Sequence, residues 1–232
     1  EMNQELVERL TMESHLRRAL ERDQLSLHYQ GIIDVPSTKV VGAEALLRWH
    51  CPEYGQVSPD VFIPLAEESG LIVTFGDWVL ETACRQAVLW RKQTGEDFCI
   101  AVNVAFPQFR DGHLVKTVRR VLQQTGLPPA SLELELTEHL LMEDERGCAQ
   151  ALNELHDMGV KLSIDDFGTG YSALSYLKRF PVDTLKIDRS FVSGMSDNSA
   201  DMQIVSSTIA MVQKLGMQVV AEGVETCAQM KL

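Results

Sequence analysis

No apolar run in this 232-residue chain is long enough to cross a bilayer, and no signal-peptide pattern opens it. Cysteine is sparse and unpaired in pattern. The five residues, Cys51, Cys84, Cys99, Cys148 and Cys227, are odd in number and scattered, with no C-x-x-C spacing. Neither a disulfide framework nor a zinc site is indicated, and a reducing cytoplasm fits best. Positive charge is also short: 21 basic against 33 acidic residues leave a formal net charge of -12. Such a surface favours solubility and discourages non-specific binding to DNA, RNA or anionic lipid, so an anionic ligand must be received locally, by a metal or a few placed cations. No internal repeat, low-complexity segment or linker occurs. The first residue is Glu1 rather than Met. The chain is therefore expected to be a segment of a longer protein, in which a membrane anchor elsewhere remains open.

What is present is enough for a sizeable core, with 45% hydrophobic residues and a length that suits one α/β barrel domain. The opening stretch, with Leu6, Leu10, Leu16 and Leu20 at helical spacing, predicts an amphipathic lead-in helix over 1–22. Short strand-like runs then alternate with helical segments through 23–232. The strands are LSLHYQGII, KVVGAEALLRW, FCIAVNVA, SLELELT, VKLSIDD, DTLKID and MQVVAEG, and several helices close on glycine. Alternation of this kind predicts a mainly parallel sheet with covered faces.

Parallel strands are usually apolar throughout, and these are not. With a side-chain period of two, Glu44 and Arg48 share a face, as do Glu133, Glu135 and Thr137, and so do Thr184, Lys186 and Asp188. Asn103, Asp165 and Glu222 end or nearly end their strands. A closed TIM-like (β/α) barrel reconciles the two demands: apolar faces pack on helices, and polar faces converge on the C-terminal mouth.

The run SIDDFGTGYSAL at 163–174 sets two carboxylates side by side, an arrangement that repels unless something positive compensates. Two accounts stay open: either Asp165 or Asp166 caps a following helix, or the pair holds a cation. Similarly, Glu135 and Glu138 are either first-turn acids of a helix or part of the same constellation, and Lys186 is either a solvated strand end or a member of it. Glu44, Asn103, Glu135, Asp165 and Asp166 are all hard oxygen donors, which select magnesium, manganese or calcium over zinc or copper. Adjacent aspartates can serve two ions, one bridging and one terminal, and paired ions suit in-line attack of water on a phosphodiester. In that chemistry Lys186 orients the water, Glu222 accepts its proton, and Arg48 grips a phosphate with its planar fork. The six histidines, His15, His28, His50, His113, His139 and His156, form no spaced cluster and read as surface or packing residues.

The motif AEALLRW at 43–49 resembles the signature of the EAL-domain family of bacterial cyclic-di-GMP phosphodiesterases. SPDVFIPLAEESGLI, VNVA, LELTE, DDFGTGYSAL, DTLKIDRSF and VVAEGVET follow in family order, over essentially the whole chain after the first helix. The resemblance implies a barrel whose first strand is antiparallel to the rest. It implies Glu44, Asn103, Glu135 and Asp165 as ligands of a first metal, and Asp165 with Asp166 as the carboxylate pair of a second. Lys186 matches the water-orienting lysine, Glu222 the glutamate proposed as general base, and Glu225 a further glutamate at the rim. Gln30 and Arg48 match positions that hold nucleotide and phosphate, and Glu138 the anchor of the loop beginning at Asp166. Two departures stand out. Gly31 follows Gln30 where the family usually has Pro, and the chain stops at Leu232, before the final strand and helix expected from the family.

The resemblance implies magnesium- or manganese-dependent hydrolysis of cyclic di-GMP to linear pGpG, calcium inhibition and a homodimer. It further implies an upstream sensor or cyclase domain in the full-length protein. A non-catalytic cyclic-di-GMP receptor is the alternative. Receptors of this family typically lose metal ligands or the DDFGTG loop, and both are intact here.

Overall fold

The structure, a computed structural model, describes residues 2–95, 97–138, 140, 145–168, 177, 179–195 and 199–231. The chain forms two compact units, Glu1–Ile32 with Val40–Leu127, and Ile33–Lys39 with Pro128–Leu232.

The first unit opens with helix α1 (Met2–Leu16). The predicted lead-in helix therefore ends earlier than the sequence pattern implies. Residues 17–23 close instead through turn bonds such as Arg18 N–H to the His15 carbonyl (3.1 Å) and Ala19 N–H to the Leu16 carbonyl (3.0 Å). Leu16 and Ala19, both fully buried, tie this turn to a core of Leu25, Trp49, Phe62, Ala66 and Phe75. Strands β1 (Leu25–Asp34) and β2 (Lys39–Cys51) are neighbours joined by residues 35–38. So short a link admits only an antiparallel pair, and the His50 N–H to Gln24 carbonyl bond (2.9 Å) agrees. β2 pairs antiparallel with β3 (Gly55–Val57) and parallel with β4 (Cys99–Asn103), so β1 runs against β4. Helices α2 (Pro59–Glu68), α3 (Leu71–Thr94) and α4 (His113–Thr125) complete the unit. The N–H groups of Gly95 and Gly126 bond back to the Arg91 and Leu122 carbonyls, the helix closures expected of glycine.

The second unit carries four parallel strands, β5 (Leu132–Thr137), β6 (Lys161–Phe167), β7 (Thr184–Ile187) and β8 (Gln218–Ala221), paired in that order. Between and after them run α5 (Glu145–Asp157), α6 (Arg189–Gly194), α7 (Ser199–Lys214) and α8 (Cys227–Lys231). The strand alternation predicted from the sequence is visible as burial. Leu134, Leu136, Leu162, Ile164, Leu185 and Ile187 form the apolar core, while Glu133, Glu135, Ser163, Asp165, Thr184 and Lys186 are buried polar groups on the other face. Burying that many polar side chains is unfavourable unless they satisfy one another, and this requirement shapes the site. Among the described residues no helix is long and apolar enough to cross a membrane.

Candidate active site

Counted from the strand starts, the first polar layer of the second unit holds Glu133, whose carboxylate accepts from the Thr184 hydroxyl (3.3 Å). Burial pushes the Glu133 carboxyl above the usual carboxylate range, against the pull of Lys161, Ser163, Thr184 and Lys186. One layer further along the strands, Lys186 meets three carboxylates. Its Nζ lies 3.0 Å from Glu135 Oε1, 3.3 Å from Asp165 Oδ2 and 2.7 Å from Glu222 Oε1. Lys186 is only 3% exposed, so the reading of a solvated strand end is set aside. An ammonium so far from water is held by charge-assisted bonds to its partners.

Asp165 and Asp166 lie inside β6, so neither starts a helix there. Adjacent strand residues normally point to opposite faces. Here β6 is irregular: Ile164 pairs with Leu185 and Phe167 with Ile187, so three steps on β6 match two on β7. The extra residue is a β-bulge, which re-aims side chains. Asp166 takes the left-handed conformation (φ 55°), and its N–H bonds the Asp165 carboxylate at 2.9 Å. The outcome is that Asp165, Asp166 and Glu222 bring one carboxylate oxygen each within 4.8 Å of one another. That donor set is all oxygen, and it fits a hard divalent cation.

Glu222 follows β8 directly and is fixed by its N–H bond to the Ile187 carbonyl (3.0 Å). The next residue, Gly223, has φ 68°, and a Cβ there would sit 2.7 Å from Arg189 Cβ. Only glycine lets the chain turn away against α6 while Glu222 stays in place. Asp188, which shares the Lys186 face in the sequence pattern, leaves the strand and caps α6 by accepting from Ser190 N–H at 3.0 Å. Glu225 is exposed, and its backbone N–H and that of Thr226 bond Gln229 Oε1 at 2.9 Å at the start of α8. Glu138 is 4% exposed directly after β5, and neither carboxylate oxygen has a hydrogen-bond partner among the described residues. Gly168 (φ 101°) begins the loop that Glu138 is expected to anchor, but the rest of that loop, residues 169–176, lies outside the described residues, as does His139.

In the first unit, Asn103 at the end of β4 donates from Nδ2 to Glu44 Oε1 on β2 at 2.7 Å. Parallel pairing of Glu44 with Ala101 puts the two side chains within reach. Arg48, four residues beyond Glu44 on the same strand, donates from Nη1 to the Leu47 carbonyl (2.9 Å), and Gln30 is exposed on β1.

Residues 13–232 match the EAL domain family. The chain belongs to the EAL-domain family. It is 48% identical over 228 residues, 98% of its length, to the bifunctional diguanylate cyclase/cyclic di-GMP phosphodiesterase MucR of Pseudomonas aeruginosa. It is 40% identical over 229 residues to the Escherichia coli cyclic di-GMP phosphodiesterase PdeR. It covers 33% of MucR and 34% of PdeR, so this EAL domain spans about a third of the curated relatives it matches. The solved MucR phosphodiesterase in complex with c-di-GMP superposes with a TM-score of 0.88 and 49% identity, over 94% of this chain and 88% of that one. The likeness bears out the TIM-like α/β fold class.

Sequence reasoning missed the bulge, because nothing in DD itself announces an extra residue. It also missed that Glu222, cast as a base, lies close enough to the aspartates to share a cation with them.

Proposed function

We propose that this EAL domain hydrolyses cyclic di-GMP to linear pGpG with divalent metal ions, lowering that second messenger in bacterial signalling. The observation that carries the reading is Lys186, buried and bonded at once to Glu135, Asp165 and Glu222 beside the bulged Asp165–Asp166 pair. The relatives named as cyclic di-GMP phosphodiesterases support the choice of substrate.

Glu135, Asp165 and Asp166 are the metal ligands of the second unit. Glu44 and Asn103 are proposed as ligands too, their hydrogen bond turning the Asn103 amide so that its Oδ1 is presented as a donor. Magnesium or manganese, when bound, lowers the pKa of water and offsets charge that develops on the phosphoryl oxygens. Lys186 orients the attacking water by giving it the ammonium proton now directed at Asp165, the longest of its three contacts at 3.3 Å. Glu222, 2.7 Å from Lys186 Nζ, takes the proton as water adds to phosphorus and one P–O bond of the ring breaks, and the released 3′-oxygen takes up a proton from solvent. Glu225 lines the rim, Arg48 holds a phosphate and Gln30 the nucleotide. Glu138 anchors the loop after Asp166.

Residues 1–22 serve as the lead-in and 23–232 as the phosphodiesterase domain. The full-length protein is cytoplasmic or membrane-anchored, carries a sensor or cyclase domain upstream, and works as a homodimer. The test is turnover after exhaustive chelation. Activity should vanish, return with magnesium or manganese, and fail to return with calcium, whose larger and looser shell positions water poorly. Undiminished turnover without metal would overturn the proposal.

A further inference from the structure

The first unit contains a second convergence of ligand atoms, far from oxygen-only chemistry. His15 stands in the last turn of α1, Cys51 ends β2 and Glu53 lies in the turn before β3. One donor atom from each lies within 4.8 Å of the others. Two groups converge on a single carboxylate oxygen. Cys51 Sγ donates to Glu53 Oε2 at 3.1 Å, and His15 Nδ1 lies 3.3 Å from the same atom. The His15 ring stands edge-on to Tyr54 with centroids 5.9 Å apart, and the Tyr54 N–H bonds the Cys51 carbonyl (3.2 Å), so ring and turn are held from both sides.

We propose that His15, Cys51 and Glu53 form a zinc-class metal site with three protein ligands and a fourth position open to solvent. The three donor atoms, all within 4.8 Å of one another, can be brought around one tetrahedral ion. Metal bonds of about 2.3 Å to sulfur and about 2.0–2.2 Å to nitrogen and oxygen place nitrogen and oxygen ligands roughly 3.3–3.5 Å apart and sulfur roughly 3.5–3.7 Å from either. The His15–Glu53 separation of 3.3 Å falls in that range, and the Cys51–Glu53 separation of 3.1 Å is shorter, so the Glu53 carboxylate, 49% exposed, swings outward from the thiol to admit the ion. Thiolate, imidazole and carboxylate together favour zinc over magnesium or calcium. Binding puts one cation where the protons shared with Glu53 lie. The Cys51 thiol proton leaves to solvent, and the His15 ring binds through Nδ1 with its proton on Nε2. The Cys51 residue is fully buried, whereas the His15 and Glu53 side chains are 22% and 49% exposed, which leaves the solvent side for ion entry. Since His15 belongs to α1, Cys51 ends β2 and Glu53 lies in the β2–β3 turn, an ion here staples the lead-in helix to the sheet of its own unit. An ordinary reading, a thiol and an imidazole each bonded to a surface glutamate, explains the two contacts but leaves the convergence of thiol, imidazole and carboxylate from a helix end, a strand end and a turn a coincidence.

The chain, with saturating magnesium to occupy oxygen-donor sites, is titrated with cobalt(II) as a probe for zinc. One equivalent should generate sulfur-to-cobalt absorption in the near ultraviolet and tetrahedral bands in the visible, both displaced by zinc. Cys51→Ser should abolish the ultraviolet band, while Cys227→Ser, which removes the exposed thiol, should leave it. His15→Ala and Glu53→Gln, at partly exposed positions, should each weaken zinc binding by at least ~100-fold with little change in metal-free melting. Cobalt that gives no sulfur band in the parent, or a band that survives Cys51→Ser, would overturn the site. So would unaltered zinc affinity in both His15→Ala and Glu53→Gln, which decides the matter even if Cys51→Ser fails to fold. None of these readouts depends on phosphodiesterase activity.

Discussion

Replacing Lys186 by methionine keeps the apolar stem and removes the one charge that Glu135, Asp165 and Glu222 share. Removing one partner of a buried pair costs about 3–5 kcal/mol, because a desolvated charge is left behind. The surroundings sharpen that range. The Glu222 and Asp165 side chains are 26% and 12% exposed and can turn to water, but the Glu135 side chain is 0% exposed. Glu135 limits its own cost by binding a proton. Starting from an ordinary glutamate pKa of about 4.3, protonation at pH 7 costs roughly 3.7 kcal/mol, which is a ceiling for that residue. For a chain of this size the loss corresponds to a melting temperature roughly 7–15 °C below the parent. The sign of the pH dependence follows. In the variant, the folded state holds a carboxyl that prefers its proton, so stability relative to the parent is retained at low pH and lost as pH rises above about 4.3. At pH 5 the deficit should shrink to roughly 1 kcal/mol. The assay is thermal melting of both proteins after chelation, from pH 5 to 8, repeated with magnesium. A variant within about 2 °C of the parent at pH 7, well inside the shift expected for such a loss, or a deficit that ignores pH, would refute the picture of Lys186 as the counter-charge of a buried carboxylate layer.

Four further substitutions test separate residues. Glu44→Ala should abolish hydrolysis and leave metal-free melting nearly unchanged, as expected of a ligand on a half-buried strand position; near-parental cleavage would end its assignment as a ligand. Glu138→Ala should cost on the order of 10–100-fold in activity or metal affinity and Asp165→Asn more, read by magnesium titration of the rate side by side; a Glu138→Ala variant equal to the parent in both would remove the anchor role. Gly168→Ala would place a Cβ 2.8 Å from Phe191 Cε2 at a backbone φ of 101°, and should destabilise the chain by roughly 1–3 kcal/mol in urea unfolding; an unchanged midpoint would contradict the described loop start.

The legible part of the structure is the part set by side-chain period. Alternation along LELELT, KLSID and TLKI predicts that Glu133, Glu135, Asp165 and Lys186 share a face opposite the leucines and isoleucines, and burial follows that division. Strand parity also places Glu44 on a face where the neighbouring Asn103 can reach it. Parity fails where the backbone breaks its own rhythm. The bulge at Asp165–Asp166 depends on one residue adopting φ 55°, a choice made by strand pairing with β7 rather than by local composition. The end of α1 escaped for a related reason. Residues 17–22, Arg-Arg-Ala-Leu-Glu-Arg, are good helix formers, but the chain turns there with Leu16 and Ala19 buried in the core. The convergence of His15 with Cys51 and Glu53 joins the end of one helix to a distant strand and turn, and no spacing rule reaches that far. Roles, as opposed to positions, are proposals drawn from the donor chemistry and the motif order: nothing in TLKID alone says that the lysine handles water.

The measurement that bears most directly on the central claim is incubation of the domain with cyclic di-GMP and magnesium, sampled over time by chromatography. The cyclic dinucleotide should disappear as linear pGpG accumulates in equal amount, and Glu222→Gln should slow this by about 10²–10⁴-fold while still binding the dinucleotide. Cyclic di-GMP that is bound by the parent and recovered intact, with no linear product, would contradict hydrolysis and leave a receptor in its place.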